Sequence, residues 1–409
     1  MSEPTGDSEE LSAQQAAALL GVKLPTLYAY VSRGLLRSQP SARGRSRSYP
    51  RADVEALRRH GRGAVAGALR WGEPLLDTQL TELTAAGPRY RGRAAVVLAE
   101  EGTPFEAVAE LLWSGALPDP SPSWTAGEPP LEFSRLSALL PRHASPSVCL
   151  SLLVAAAAAH DPGRFDSRRA AVTARARTLI RLLAAGLALP GDPERAERAF
   201  AAPSVAEAVA MATGVGPQRA AKPLLDRALV LLADHELNAS TFAARVTAST
   251  DADIYAVVQT GLATLSGPRH GAASDQVEAL LAEVERPAEA LHVLHERARR
   301  GEGIPGFGHG YYRQADPRAP AMLEPAFELA GESASLRTLA ALIEAMAQDA
   351  RPAPNVDVGL VAVRAALGMP RGTGAGIFAV ARCAGWVAHT LEQQASGQLL
   401  RPRARYVGP

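Results

Sequence analysis

Residues 301–318 read GEGIPGFGHGYYRQADPR. Glycines at 301, 303, 306, 308 and 310 surround one histidine, His309. Such a backbone can come close to a ligand and adopt angles closed to other residues. Further on, Asp316-Pro317-Arg318 adds a guanidinium whose planar fork suits a carboxylate. Taken alone, the stretch is equally a surface turn with an incidental histidine. Two further segments bear on that choice, one from His235 to His270 and one from Asn355 to Asp357.

The first begins Asp234-His235-Glu236-Leu237-Asn238-Ala239-Ser240. His235, flanked by two acids, reads either as a satisfied core histidine or as a functional one, and no second histidine at i+4 suggests a metal site. Then comes Gly267-Pro268-Arg269-His270-Gly271, where Gly-Pro breaks one helix and His270 opens the next. The positive end of a helix disfavours imidazolium, so His270 is expected neutral, the form that donates a hydrogen bond to a carbonyl. The second is Pro354-Asn355-Val356-Asp357-Val358, which sets a carboxylate before the helix 360–367. Asp357 reads by itself as an N-cap. With two histidines it becomes a group able to remove a proton beside a carbonyl while the enol is stabilised.

The whole chain, 409 residues with 47% apolar and 21% charged residues and a net charge of +1, is long enough for two or three domains and points to no nucleic-acid or membrane partner globally. Cys149 and Cys383 are its only cysteines, too few for a disulfide framework. The longest apolar run, 152–159, is too short to cross a bilayer, and the polar, acidic N-terminus is unlike a signal peptide. A cytoplasmic protein is expected.

Residues 1–10 read as a disordered tail. Ser12 and Gln15 then form a capping-box pattern for a first helix that ends at Gly21, and Leu24-Pro25-Thr26 starts a second that stops at Gly34. Two short helices joined by such a turn make a helix-turn-helix. Ser38 to Tyr49 has the composition of a hairpin wing, and residues 52–59 form a third helix. Between Arg33 and Arg62 nine arginines stand against Asp53 and Glu55, a local charge of +7 suited to phosphate contacts. Over residues 11–60 the module resembles the winged helix-turn-helix of excisionase and MerR-like DNA-binding domains. The resemblance implies Thr26, Tyr28 and Arg33 near a DNA groove, with Arg43, Arg45 and Arg47 on the wing. The alternative is a three-helix interaction domain whose arginines are solvated. Residues 61–72 read as a linker.

From about residue 65 onward helical spacing dominates, as in 105–112, 146–160, 168–185, 205–213 and 223–232, with no convincing strand ladder and no fixed repeat. The fold expected is all-α.

The segments DHELNAS, GPRHGAA, GIPGFGHGYYRQADPR and PNVDVG, preceded by Tyr90-Arg91-Gly92 and followed by Ala381-Arg382 and Leu400-Arg401-Pro402-Arg403, are similar in order and spacing to the citrate synthase family. The resemblance covers roughly residues 68 to 409. It implies a large helical domain (73–274 and 367–409) and a small helical domain (275–366) that closes over it. It also implies condensation of acetyl-CoA or propionyl-CoA with oxaloacetate and water, by a homodimer needing no metal and no cofactor beyond the CoA co-substrate. Asp357 would take the proton from the acyl-CoA, His270 would hold the thioester oxygen, and His309 would polarise the ketone. His235, Arg318 and Arg382 would hold oxaloacetate, with Arg401 reaching across the dimer. Ile304 and Gly306 would face adenine, with Asn355 nearby and Arg313 on phosphate. Ala272, Ser274, Gly310 and Tyr311 depart from the family pattern without removing a catalytic group. A second reading, a transcriptional regulator that senses a metabolite through this body, stays open. Among the remaining histidines, His292 and His295 read as solvated, and His60, His143, His160 and His389 have no partner recognisable in the sequence.

Overall fold

The computed structural model describes residues 10–20, 22–32, 36–40, 47–51, 53–55, 76–124, 127–216, 221–404 and 406–408. The chain divides into two units, Met1–Asp77 and Thr78–Pro409.

In the first unit, β1 (Glu10–Ser12) precedes α1 (Ala13–Leu20) and α2 (Leu24–Ser32), and β2 (Gln39–Pro40) and β3 (Arg47–Pro50) follow. The capping box forms as expected: the Ser12 N–H donates to Gln15 Oε1 (2.9 Å) and the Gln15 N–H to Ser12 Oγ (3.3 Å). The wing is an antiparallel β2–β3 pair, and β1 joins β3 on its other side with Leu11 opposite Tyr49. Residue 10 is thus part of a strand rather than of a tail. Three residues are too few to show alternation, and only pairing with β3 makes them one. Leu11, Ala16, Ala17, Leu27, Leu36 and Tyr49 form the unit's core with Val54. Thr26 is half-buried, Tyr28 is exposed, and exposed Arg47 donates to Ser38 Oγ. Arg33, Arg43, Arg45, the tail up to residue 9, the linker 61–72 and most of the third helix lie outside the described residues. Of that helix, residues 51 and 53–55 are helical.

The second unit is helical, but it opens with a sheet that sequence patterning does not predict: β4 (Thr81–Thr84), β5 (Gly87–Tyr90) and β6 (Arg93–Ala94), in that order and antiparallel. Each strand is too short to display a period of two, and the turn at 85–86 relies on Gly87, whose φ of +110° is in the left-handed region.

The helices expected from spacing are present as Phe105–Ser114, Pro146–His160, Arg169–Gly186, Val205–Ala212 and Ala221–Leu232. At the centre runs Thr373–Ser396, 24 residues buried on nearly every face. Its small residues let neighbours reach its backbone. A Cβ on Gly385 would lie 2.4 Å from Asp234 Oδ1, and the Trp386 ring presses on Gly261 of the Ile254–Leu265 helix.

The main core takes in residues from Leu80 to Leu391, including the inner faces of Arg318–Ala330 and Val356–Ala366. A second apolar cluster, built from Leu280, Val284, Ala290, Leu294, Leu342 and Met346 with Ala345, lies within the helices Ala273–Glu283, Ala290–Arg299 and Ala334–Gln348 and their joins.

Candidate active site

The Gly-rich loop is laid against the start of the Val356–Ala366 helix by main-chain hydrogen bonds. The Gly308 N–H donates to Ala353 O and the Asn355 N–H to Gly306 O, both at 2.8 Å, with a bridge between Phe307 and Pro354. The Asn355 side chain continues the pairing, giving a hydrogen bond to Gly308 O (3.0 Å). Its Oδ1 accepts the Asp357 N–H at 2.9 Å, so Asn355, not Asp357, is the N-cap. The Asp357 carboxylate therefore has no capping duty. Both polar ends of Asn355 are engaged here. Gly306 has φ +83° and sits where any Cβ would meet Val277 and Val358.

Asp316 and Arg318 are buried and form a two-pronged pair, Nε to Oδ1 at 2.9 Å and Nη2 to Oδ2 at 2.8 Å. Asp316 Oδ2 also accepts the Val356 N–H at 3.1 Å, fixing Arg318 relative to the helix that carries Asp357.

His309 is held by its own loop. Its Nδ1 accepts the N–H groups of Tyr311 (3.0 Å) and Tyr312 (3.3 Å), so the ring keeps its proton on Nε2 as a free donor. The His235 ring lies 5.4 Å from that of His309, and the Tyr312 ring lies 4.7 Å from it. Tyr312 Oη pairs with His235 Nε2 at 3.0 Å, and the Arg318 guanidinium lies 5.8 Å from the Tyr312 ring. His235, His309, Tyr312 and Arg318 thus form one contiguous group.

His270 stands three residues ahead of the Ala273–Glu283 helix, near its start as expected. Its Nε2 meets Ser240 Oγ at 2.8 Å, and that oxygen also accepts the Trp386 indole N–H at 3.2 Å. The His270 ring is 6.2 Å from Phe378, over which the Arg382 guanidinium lies at 4.7 Å. Arg382 is buried and donates to Leu232 O at 2.9 Å.

Arg313 is exposed, and Ile304 packs against the second cluster. Arg401 stands exposed past the end of the central helix and is not brought to the other site residues within this single chain. Among the described residues, no group of three or more His, Cys, Asp or Glu is arranged to hold a metal ion.

Several contributors escape sequence reasoning. Tyr312 follows His309 closely enough to be suspected, but nothing in the pattern says its hydroxyl meets His235. Tyr90 is buried, with its hydroxyl donating within the carbonyls of Val230, Leu231 and Asp234 and accepting the Asp234 N–H, which pins the segment leading to His235. His389 does have a partner: its Nε2 lies 3.3 Å from Asp234 Oδ2, both side chains fully buried. Ser240 shows no sequence signal beyond its place in DHELNAS.

The charges are tuned to distinct roles. Burial pushes the Asp357 carboxyl up to about 7; Asp316 adds to this, while Arg318 and Arg382 oppose it. Burial, then the Arg382 charge, holds His270 down to about 4. The neutrality expected of His270 thus comes mainly from desolvation rather than from the helix end. His309 is lowered by burial and Arg318, and His235 is held well below its ordinary value by burial and the two arginines. Burial brings Arg382 down to about 10, still cationic at neutral pH. A carboxyl poised near neutrality within the field of two buried arginines, in a chain that keeps its buried imidazoles neutral, is equipped to take a proton from carbon in an anionic substrate. Accordingly, kcat/KM should fall about tenfold per pH unit below pH ~7 as Asp357 takes up its proton. His270 does not charge until about pH 4, so a His270→Asn variant should retain that acid limb despite lower activity. A pH–rate profile of both proteins checks this.

Comparison with known proteins agrees with this chemistry. Residues 68–403 match the family described as citrate synthase, C-terminal domain, and residues 10–62 match a helix-turn-helix domain. The citrate synthase of Haloferax volcanii is 34% identical over 326 residues, 74% of this chain and 85% of that protein. The citrate/2-methylcitrate synthase of Bacillus subtilis is 33% identical over 350 residues, 82% and 92% respectively. Among solved structures, the ternary complex of Thermoplasma acidophilum citrate synthase with carboxymethyl coenzyme A and oxaloacetate superposes with a TM-score of 0.73 at 25% identity, covering 84% of this chain and 96% of that one. The sequence resemblance, the mostly helical body and the acid–base set converge, and the chain belongs to the citrate synthase family, as an enzyme of that type with a helix-turn-helix domain before it.

Proposed function

We propose that this enzyme condenses acetyl-CoA with oxaloacetate and water to give citrate and CoA, and accepts propionyl-CoA as a second donor to give 2-methylcitrate. The observation that carries the reading is the Asp357 carboxyl, raised to about 7 beside buried Arg318 and Arg382. Asp357 removes the proton from the carbon next to the thioester, while His270 hydrogen-bonds the thioester oxygen and stabilises the enol. The enol carbon attacks the ketone carbon of oxaloacetate, and His309, with its proton on Nε2, donates to the developing alkoxide. Water then cleaves the thioester of the condensed intermediate, releasing CoA. His235, Arg318 and Arg382 hold the oxaloacetate, and Arg401 reaches the site of a partner subunit in a homodimer. Main chain at Ile304 and Gly306 faces the CoA adenine, with Asn355 holding that loop and Arg313 on phosphate. One methylene separates the two donors, worth only about 1–3 kcal/mol in an apolar pocket, which supports acceptance of both. Residues 275–366 act as the small domain that closes over substrate, and the protein acts in the cytoplasm.

CoA release by the full-length protein, from each donor with oxaloacetate, tests the reading. Turnover with both donors is the expected result. Oxaloacetate binding without turnover with either donor would overturn it.

A second role is supported by the N-terminal unit. Its helix-turn-helix match, the exposed Tyr28 on α2 and Arg47 on the wing favour DNA contact. A two-fold dimer presents two such units, as a palindromic site requires. In this role the body reports bound metabolite to DNA. Loss of sequence-specific DNA binding on deleting residues 1–62 is its test.

A further inference from the structure

We propose that Tyr311 is a positioning residue of the oxaloacetate site, its hydroxyl tying the loop that carries His309 to an edge carbonyl of the β4–β5 hairpin; the assignment of that site rests on the proposed function above.

β4 is the edge of its three-stranded sheet, and Leu83 pairs with Pro88 at a position where the backbone groups of the two face away from each other, so the Leu83 carbonyl points to the open edge. The Tyr311 hydroxyl donates to that Leu83 carbonyl at 2.7 Å. Tyr311 is 42% exposed, so apolar burial does not explain its place. Its own N–H donates to His309 Nδ1 at 3.0 Å, and its ring meets Tyr312 edge-on at 5.2 Å. One residue therefore joins the imidazole, the aromatic group beside it and a strand distant in sequence.

The same hairpin touches the other end of the segment. Gly87 closes the hairpin with φ +110°, and a Cβ there would lie 3.2 Å from Pro317 Cγ. Pro317 immediately precedes Arg318. The hairpin thus braces residues 309–318 at both ends, with Tyr312 and Asp316 between, although it supplies no reacting group itself.

Substrate binding draws on the population in which His309, His235 and Arg318 already meet. One net hydrogen bond shifts the ratio of that population to the open one about fivefold; from comparable populations in the free protein, the met fraction falls about threefold and the open fraction rises about twofold. Bound oxaloacetate bridges the same groups, so the saturated enzyme depends on the tie far less than the free one.

The test uses the full-length protein and the Tyr311→Phe variant, which loses only the hydroxyl. Expected are a Kd for oxaloacetate, measured calorimetrically, and a KM each raised about threefold. kcat should stay within about twofold and thermal stability should be unchanged, a split that a merely structural role would not give. Amide exchange over residues 301–316 without ligand should quicken about twofold in the variant. Equal exchange, or an equal Kd in the two proteins, would overturn the tie. A wild-type protein that binds no oxaloacetate would instead sink the assignment of the site, while exchange still decides whether the hydroxyl holds the loop. Gly87→Ala presses on Pro317 from the other end and should raise KM in the same direction; an unchanged KM there counts against the hairpin as a brace.

Discussion

Asp357→Asn is expected to lower kcat by about a thousandfold, within the range of a positioned general base, while oxaloacetate binding persists. The amide keeps the size of the carboxylate but accepts no proton from carbon at neutral pH. The same substitution should stabilise the fold in alkaline solution. The folded pKa of Asp357, about 7, lies above its ordinary 3.8, so the unfolded chain ionises first. Stability therefore falls as pH rises from the lower value to the higher and is level above it. At pH 8 the wild-type protein carries the full penalty of an ionised, half-buried carboxylate and the variant does not. With allowance for solvent access, the gain should be roughly 1–2 kcal/mol, or a few degrees in Tm. At pH 4 it should shrink towards zero. Calorimetric melts at the two pH values, with CoA-release kinetics, check both halves; a variant less stable at pH 8 than at pH 4 relative to wild type would show that burial does not set the charge of Asp357.

Gly306→Ala should be the most damaging single methyl in the loop. Its φ of +83° already disfavours any side chain, and the new Cβ would stand 2.5 Å from Val277 Cγ2 and 2.6 Å from Val358 Cγ2. Both valines are fully buried and have nowhere to move. Strain of about 1–2 kcal/mol from the backbone and about 1–3 kcal/mol from overpacking exceeds what the Gly306–Asn355 hydrogen bond returns. The loop is then expected to leave the helix start, carrying His309 from its partners, with kcat/KM down at least about a hundredfold. Gly301→Ala is the control. Its φ is also positive, at +72°, but nothing lies within 4 Å of its Cβ. It should lose about 1 kcal/mol and little activity. Similar kinetics for the two variants would show that backbone angle, not the clash, governs the site.

What sequence could reveal here follows the range of the interactions. Helices whose caps lie within a few residues, such as α1 with Ser12 and Gln15, are read correctly because cause and effect are neighbours in the chain. His235, His270, His309 and Asp357 stand out because each sits in a Gly, Pro or Asn setting unusual for a buried polar group. The reading of Asp357 as an N-cap fails by two residues: Asn355 offers the same capping chemistry and takes the role. Other features depend on partners brought in from afar. The strands of β4–β6 exist only as a set, and the hydroxyl of Tyr312 reaches His235 across 77 positions. His389 lacks a visible partner in sequence because Asp234 stands 155 positions away. Such pairings leave no local periodicity to detect.

The pairing of the Gly-rich loop with the Asn355 segment also bears on the order in which the enzyme comes into being. Gly308 and Asn355 are 47 positions apart, and the helices Arg318–Ala330 and Ala334–Gln348 lie between them. Those helices form from local contacts, whereas the loop must wait for a long closure. During synthesis at the ribosome, His309 therefore emerges well before the segment that anchors it. The helices can be made while the loop still has no anchor, and the residues of the candidate site meet only once Asn355 has followed.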